Sequence, residues 1–589
     1  MKDILLPEVK TALRELYGIE EENIEFIPTK KNYEGDITLP VFFLAKRLRK
    51  SPVEIARETG EYLQKHTPLV ASYNAVGGFL NIVLSPDLFI DFVNDRFLDL
   101  SYGITPPDPS RPGIMVEYSS PNTNKPLHLG HIRNNLLGYA VSEIIEATGK
   151  PVIRTQIIND RGIHISKSML AWKKFGKGET PESSGLKGDH LVGKYYVEFD
   201  KRYREQVNKL MEEGMPEEEA KQKAPLLQEA REMLKKWEQG DPETMELWKM
   251  MNKWVLEGFR QTYQELGVKF DTEYFESDTY LLGKKIVEEG LRKGIFYRKD
   301  DGSVWVDLRD EGLDEKLLLR ADGTSVYITQ DLGTAVKRFE EFNIDTLIYV
   351  VGNEQDYHFK ALFAILKKLG YPWADRLYHL SYGMVHLPEG KMKSREGTVV
   401  DADDLLQQMY ETARAISQEL GKVEGFPPEE REKIYKIIGK AALKYFLLKV
   451  DPKKEILFDP KKSIDFNGNT GPFLQYAYVR IKSLLYKAGE QNLQGGKPIQ
   501  LDPKEKELVK SLMQFERIIR SAAESLNPAI LANYLYQTVK TYNTFYQSLP
   551  VLQAKDAETR RFRLALSQLT GTVVKNGLAL LGIEVPERM

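Results

Sequence analysis

A multidomain α/β chain is predicted from three observations. Ile114, Met115 and Val116 form a short apolar run, and a polar loop separates them from Ile132, Leu136, Leu137, Ala140, Val141, Ile144 and Ile145, which share one helix face. Gly149 and Pro151 end that helix, and Val152, Ile153, Ile157 and Ile158 open a second strand. The pattern then returns: an apolar strand at Leu347 to Val351, a turn at Gly352 to Asp356, and a helix face of Phe359, Leu362, Phe363, Leu366 and Leu369. Two such halves make a Rossmann-like nucleotide-binding domain, placed at 109–455. An N-terminal α+β domain (1–108) precedes it and an all-α bundle (456–589) follows.

With 589 residues the chain is too long for one core, so about three domains are expected. Hydrophobic residues make up 42% and charged residues 29%, an ordinary globular balance. The net charge of -3 announces no nucleic-acid partner, so any basic surface must be local. Cysteine is absent, which excludes disulfides, and eight scattered histidines argue against structural zinc. No run approaches the length of a membrane span, and MKDILLPEVKTALREL lacks the basic start and apolar centre of a secretion signal. A cytoplasmic enzyme is expected.

In the first unit, Val9, Leu13, Leu16 and Tyr17 mark an amphipathic helix. A turn at Gly35-Asp36 precedes a predicted helix over Leu39 to Leu48, with a basic end at Lys46, Arg47, Arg49 and Lys50. Ser51 and Pro52 suit the N-cap and first turn of another helix. Gly77 to Leu84 reads as a turn and strand, and the Pro-rich stretch from Thr105 to Pro112 as a linker.

The loop after Val116 ends in His128-Leu129-Gly130-His131 at the start of the amphipathic helix. A helix N-terminus attracts phosphate, a glycine there lets a flat ring approach the backbone, and histidines beside it can donate to phosphate oxygens. Residues of about 171–265 are helical and highly charged, which reads as a salt-bridged insertion. Farther on, Tyr327 and Asp331 lie four apart, on one side of any helix. A carboxylate with an aromatic neighbour suits a guanidinium; a capping or surface aspartate is the plainer alternative. Gln355 falls at the carboxyl edge of the second-half strand, where such sheets bind ligands. Gly390 to Gly397 is a glycine-bounded basic loop whose lysines could follow the charge of a leaving pyrophosphate. In the last unit the apolar series from Phe515 to Leu552 fits a bundle, and Tyr534, Tyr536, Tyr542 and Tyr546 are core or base-stacking residues.

Ser119 to His131 (SSPNTNKPLHLGH) resembles the first signature of the class I aminoacyl-tRNA synthetases, in the form found in arginyl-tRNA synthetases. SVYITQDLGTA (325–335), GKMKSREG (390–397) and NTGPFLQYAYVR (469–480) resemble further family motifs in the same order. The N-terminal GD turn, LAK helix and GGFLN strand are also similar to the family, whose first domain contacts the tRNA elbow. The resemblance implies an arginine–tRNA ligase, which activates L-arginine with ATP and transfers it to the 3′-terminal adenosine of tRNA(Arg). It implies His128, His131, Lys125, Lys391 and Lys393 as catalytic residues, and His128, Gly130, His131, Lys391, Met392, Ser394 and Arg395 as ATP contacts. Glu117, Asn122, Tyr327, Asp331 and Gln355 coincide with arginine-contacting positions, and Gln475, Tyr476, Tyr478, Arg480 and Met589 with the tRNA-binding region. Mg²⁺ is expected with ATP and without a dedicated protein site, and a monomer is expected. One departure stands out. Lys393 and Ser394 occupy the places of the first serine and second lysine of the KMSKS signature, so either Lys125 or Lys393 has to supply the missing charge. A small-molecule HxGH nucleotidyltransferase would have no use for the last domain, and a non-catalytic RNA-binding paralogue would not need the phosphate-site histidines.

Overall fold

The computed structural model describes residues 1–30, 32–388, 400–421, 425–489 and 493–589. Its centre is a five-stranded parallel sheet built from Gly113–Glu117, Val152–Ile158, Thr272–Phe275, Ile344–Gly352 and Leu377–Tyr382. Taken in chain order, the strands lie fifth, fourth, first, second, third. Chain direction across the sheet therefore reverses between Gly113–Glu117 and Ile344–Gly352, and the carboxyl ends of these two strands border a crevice of the kind where open α/β sheets bind ligands. The pairing sets Glu117 opposite Tyr349 on one side and Thr155 on the other.

Strand alternation splits the core in two. Ile114, Val116 and Tyr118 pack with Leu137, Val141 and Ile145 of helix Leu129–Glu146. Met115, Leu347 and Tyr349 pack on the other side with Ile328, Leu332, Phe359, Leu362 and Leu366. Both expected halves are present, with helices Tyr327–Glu341 and Asp356–Lys368 completing the second.

One expectation changes. Leu39 lies in a strand, Ile37–Pro40, and only Phe42–Leu48 is helical, because Ile37, Thr38 and Leu39 find an edge to pair with in Phe79–Leu84. The charged insertion is helical, as expected. Its helices, from Ile163–Phe175 to Pro242–Leu266, lie between the second and third strands. A small antiparallel sheet of Phe296–Arg298, Val304–Val306 and Lys316–Leu319 follows, made of strands too short to show a period.

The first unit docks on the last. Asp36, almost wholly buried, accepts the Leu84 backbone N–H at 2.7 Å and pairs with Lys506 and Lys510 at 2.7 and 2.5 Å. Tyr102 donates to the Leu512 carbonyl at 3.1 Å, and Asn576 reaches the Leu100 and Tyr102 carbonyls. The Gly35-Asp36 turn is thus an inter-domain clamp.

Candidate functional site

His128 is the N-cap of helix Leu129–Glu146, and its Nδ1 accepts the Gly130 backbone N–H at 3.1 Å. Nδ1 of His131 in turn accepts the His128 backbone N–H at 3.2 Å. Both Nδ1 atoms are therefore lone-pair acceptors, and the ring proton of each neutral imidazole sits on Nε2. The capping box fixes two Nε2–H donors at the positive end of a helix, with the rings 3.9 Å apart. Burial, helped by the charge of Lys125, pushes His128 down to about 4, and burial holds His131 well below the ordinary histidine range. The pair is neutral and donating at pH 7.

Both folded-state values lie below those of an unfolded histidine. The resulting stability is complete above about pH 6.5, and for His128 it is lost as pH falls toward about 4. In His128→Asn, which keeps a good N-cap, the loss of unfolding free energy between pH 7 and pH 4.5 is expected to be smaller than in the parent chain. Urea unfolding at the two pH values measures it.

Asn134, on the same helix, holds the crevice together. Its Oδ1 accepts the Ser119 backbone N–H at 2.6 Å, and its Nδ2 donates to the Val350 carbonyl at 2.6 Å and to the Tyr382 hydroxyl at 3.2 Å. Ser119 has a left-handed backbone, with φ of 61°, and its hydroxyl meets that of Tyr263 at 2.8 Å. This strained turn carries the chain from strand Gly113–Glu117 into the loop before the histidines.

Next to the crevice, the expected acidic pocket is partly rearranged. Asp331 lies on helix Tyr327–Glu341 as predicted, and Nε2 of His358 meets its Oδ2 at 2.7 Å. Tyr327 begins the same helix and is 76% exposed, so it is available to a ligand rather than packed. Glu117 differs from expectation. Its buried carboxylate is already matched by the guanidinium of Arg338, which has no exposed surface. Glu117 therefore holds an internal cation instead of lying open to an external one. Glu276 takes up some of the acidity: it is buried beside Arg161, receives a bond from Gln330, and is pushed up to about 7 by burial. Asp160 orders the neighbouring turn by accepting the Ser277 N–H at 2.9 Å and its hydroxyl at 2.7 Å. Asn122 is exposed and bridges to Asn159, and Gln355 is exposed in the turn Asn353–Gln355. His358, Arg338 and Asn134 carried no sequence signal, because their roles come from partners 15 to 248 residues away.

Lys125 is half-buried, and burial lowers its affinity for a proton. It lines a cavity of about 820 Å³ between the histidine motif and the insertion helix Gly188–Glu212. Beyond the basic loop the chain returns directly to the motif: the Leu129 N–H reaches the Val400 carbonyl at 3.2 Å and the Ala402 N–H reaches the Leu127 carbonyl at 2.9 Å. Lys391, Met392, Lys393, Ser394 and Arg395 lie outside the described residues. Asp189, His190 and Asp403 converge nearby, but Lys187 stands among them, 3.2 Å from Asp189 and 2.5 Å from Asp403, and supplies the positive charge itself.

In the last domain two expected tRNA contacts prove to be core. Gln475 has no exposed surface and its Nε2 donates to the Glu584 carbonyl at 2.7 Å; Tyr478 is 4% exposed. Helix Gly471–Ala488 turns both inward, while Tyr476 and Arg480 stay partly exposed. The Arg480 guanidinium lies 4.9 Å from the Tyr476 ring centre and donates to Asn543 at 3.2 Å. Met589 packs against the core. Gln475→Ala is expected to cost about 1–3 kcal/mol of stability, from the orphaned carbonyl, and to leave the Michaelis constant for tRNA unchanged. Urea unfolding beside aminoacylation kinetics separates the two. Lys444 likewise donates to the Gly582 carbonyl from a buried site that pushes it down to about 7.

Comparison with known proteins agrees with this arrangement. Residues 104–459 match the family described as tRNA synthetases class I (R), catalytic domain; residues 474–589 match the DALR anticodon binding domain, and residues 3–84 the arginyl tRNA synthetase N terminal domain. The chain is 54% identical to an arginine–tRNA ligase of Flavobacterium psychrophilum and 55% identical to one of Bacteroides thetaiotaomicron, with full coverage of each chain in both pairs. Its fold is similar to the solved arginyl-tRNA synthetase of Thermus thermophilus, with a TM-score of 0.80, 27% identity and full coverage of both chains. By sequence and by fold, the chain belongs to the arginyl-tRNA synthetase family.

Proposed function

We propose that the chain is an arginine–tRNA ligase that uses ATP and releases AMP and diphosphate, with the work divided as follows. Asp331, oriented by His358, pairs with the guanidinium of L-arginine, and Tyr327 covers it from the helix end. Asn122 and Gln355 lie nearer the α-amino end. Glu117 shapes the pocket through Arg338. The arginine carboxylate attacks the α-phosphorus of ATP, the bond to the bridging oxygen breaks, and pyrophosphate leaves with its electron pair. The Nε2–H groups of His128 and His131 donate to oxygens that gain charge, and Gly130 leaves room for the adenosine. Lys391, Met392, Ser394 and Arg395 belong to the same ATP site. Lys125 stands for the lysine missing from the loop, with Lys393 as its alternative. Mg²⁺ comes with ATP and screens the phosphates.

The 2′-hydroxyl of the terminal adenosine of tRNA(Arg) then attacks the arginyl carbonyl and AMP leaves. With no obvious general base at the site, positioning carries this step. The unit 1–108 contacts the tRNA elbow, 109–455 holds the reaction, and 456–589 reads the anticodon through the surface around Tyr476 and Arg480. The enzyme acts as a monomer in the cytoplasm; no described helix is long and apolar enough to cross a membrane.

The observation that carries this reading is the pair of fixed Nε2–H donors at a helix N-terminus across a sheet crevice from an oriented aspartate. ATP–pyrophosphate exchange with each amino acid, with and without tRNA, tests it. Exchange with arginine alone among the amino acids, and only with tRNA present, is expected. Exchange with another amino acid would overturn the substrate assignment. His128→Asn, which keeps the helix cap, is expected to lower the exchange rate about 10²–10³-fold, the scale of one lost oxyanion donor.

A further inference from the structure

Three carboxylates and two basic side chains meet where the helical insertion touches the segment that follows the basic loop. Lys187 Nζ lies 2.5 Å from Asp403 Oδ2 and 3.2 Å from Asp189 Oδ2, and it donates to the Thr262 hydroxyl at 2.5 Å. Thr262 in turn donates to Asp403 Oδ1 at 3.0 Å. Lys187 thus serves Asp189 and Asp403. Asp401 has a different partner. Among the described residues its one ion pair is with His190, whose Nε2 stands 3.5 Å from Asp401 Oδ1 and 3.0 Å from Asp403 Oδ2.

Asp401 sits at a joint. Its Oδ1 caps helix Ala402–Glu419 through the Asp403 N–H at 2.8 Å. Its two neighbours hold the histidine motif. The Val400 carbonyl takes the Leu129 N–H and the Ala402 N–H reaches the Leu127 carbonyl, which sets Asp401 opposite His128. His190 belongs to the insertion helix Gly188–Glu212, and Thr262 to Pro242–Leu266. The hydrogen bond to Asp403, with the charges of Asp401 and Asp189 behind it, raises His190 above the ordinary histidine range against the cost of burial. Burial pushes Asp403 up, but the bonds from His190 and Lys187 outweigh it and hold Asp403 at about 2. Lys125 and His128 border the same cavity as His190, and so does Lys194, which pairs with Glu179 at 2.7 Å.

We propose that His190 is a positioning residue for the ATP step: bonded to Asp403 and paired with Asp401, it lets the insertion hold residues 400–403 against the histidine motif and so keeps His128 in place. The role rests on the arginine–tRNA ligase reading. His128 is fixed by backbone bonds on both of its sides, and both come from the segment that His190 grips. A shift of that segment moves the Nε2–H donor of His128 off the oxygen it serves, and small misplacements at a reacting centre are costly. Three carboxylates against the single ammonium of Lys187 leave room for one more positive charge, and the imidazolium of His190 supplies it.

The test is arginine-dependent ATP–pyrophosphate exchange with tRNA present, with the rate taken per folded chain. His190→Gln keeps a hydrogen-bond donor and removes the charge. The folded His190 value lies above that of an unfolded histidine, so its charge is complete below about pH 6.5 and is lost as pH rises through the raised value. The variant's loss of kcat/KM for ATP is therefore expected to be about tenfold at about pH 6.5, a fraction of what a lost donor costs, and to shrink as pH rises. The Michaelis constant for arginine is expected to stay within about twofold. His190→Lys, which carries a permanent charge, is expected to recover most of the rate and to lose the pH dependence. Asp401→Asn is the second variant, since asparagine still caps the helix. It is expected to show the same pH-dependent loss, and the two substitutions together to cost no more than the larger one alone. A loss independent of pH, additive losses in the His190→Gln/Asp401→Asn chain, or an equal rise in the Michaelis constant for arginine would overturn the role. Absence of arginine-dependent exchange in the parent chain would overturn the function itself, so the two failures are distinct.

Discussion

Asp331→Asn is expected to raise the Michaelis constant for arginine by about 100-fold or more while leaving that for ATP within about twofold. The asparagine keeps the volume and one acceptor oxygen but removes the charge and the two-pronged geometry that a guanidinium reads. His358 makes this loss specific. Its Nε2 meets Oδ2 of Asp331 at 2.7 Å, so the carboxylate is aimed before substrate arrives, and the substitution removes an oriented charge rather than a wandering one. His358→Ala should reproduce a smaller part of the same effect. Steady-state kinetics with each substrate varied in turn decides it, and equal rises for arginine and ATP would show that the pocket is misplaced.

The second large effect is on stability. Arg338→Met is expected to cost about 3–5 kcal/mol, because it strands the buried carboxylate of Glu117 without its counter-charge. The same reasoning predicts that the Arg338→Met/Glu117→Gln double variant recovers much of that loss, since neither member is then left charged and alone. Chemical unfolding of the three chains measures both claims. An Arg338→Met chain as stable as its parent would mean that the pair contributes nothing to the fold. The double variant is also informative about function. If it folds and binds arginine as the parent chain does, the charge of Glu117 is not needed at the substrate.

The sequence made the catalytic core legible wherever local pattern decides structure. The strand before the motif, the helix from Leu129 and the second-half strand and helix all follow from runs and periods within about 18 residues. Helix spacing put Asp331 and Tyr327 on one helix, where they lie; the expectation that they contact arginine came from the family resemblance alone. Partnership was illegible. Nothing near Glu117 in the chain predicts Arg338, and nothing near Gln475 predicts that a carbonyl of the C-terminal segment takes its amide. A buried polar side chain and a partly exposed one look alike in a sequence; only burial separates Gln475 from Arg480. The segment at Leu39 failed for a related reason, since an apolar run turns into strand or helix according to the edge that waits for it.

Asn134 ties three backbone and side-chain groups from both halves of the nucleotide fold into one joint. The chain between those halves is long, and it wanders through an entire helical insertion and a second small sheet before it returns. Registration of the reacting edges does not depend on that journey. It is set locally, at the seam, by the pairing of the two strands and by the one amide that spans their ends. The intervening segments are therefore released from the task of alignment, and because loop-closure entropy grows only slowly with length, they are free to lengthen, shorten or change their surface while the chemistry beneath them stays in register.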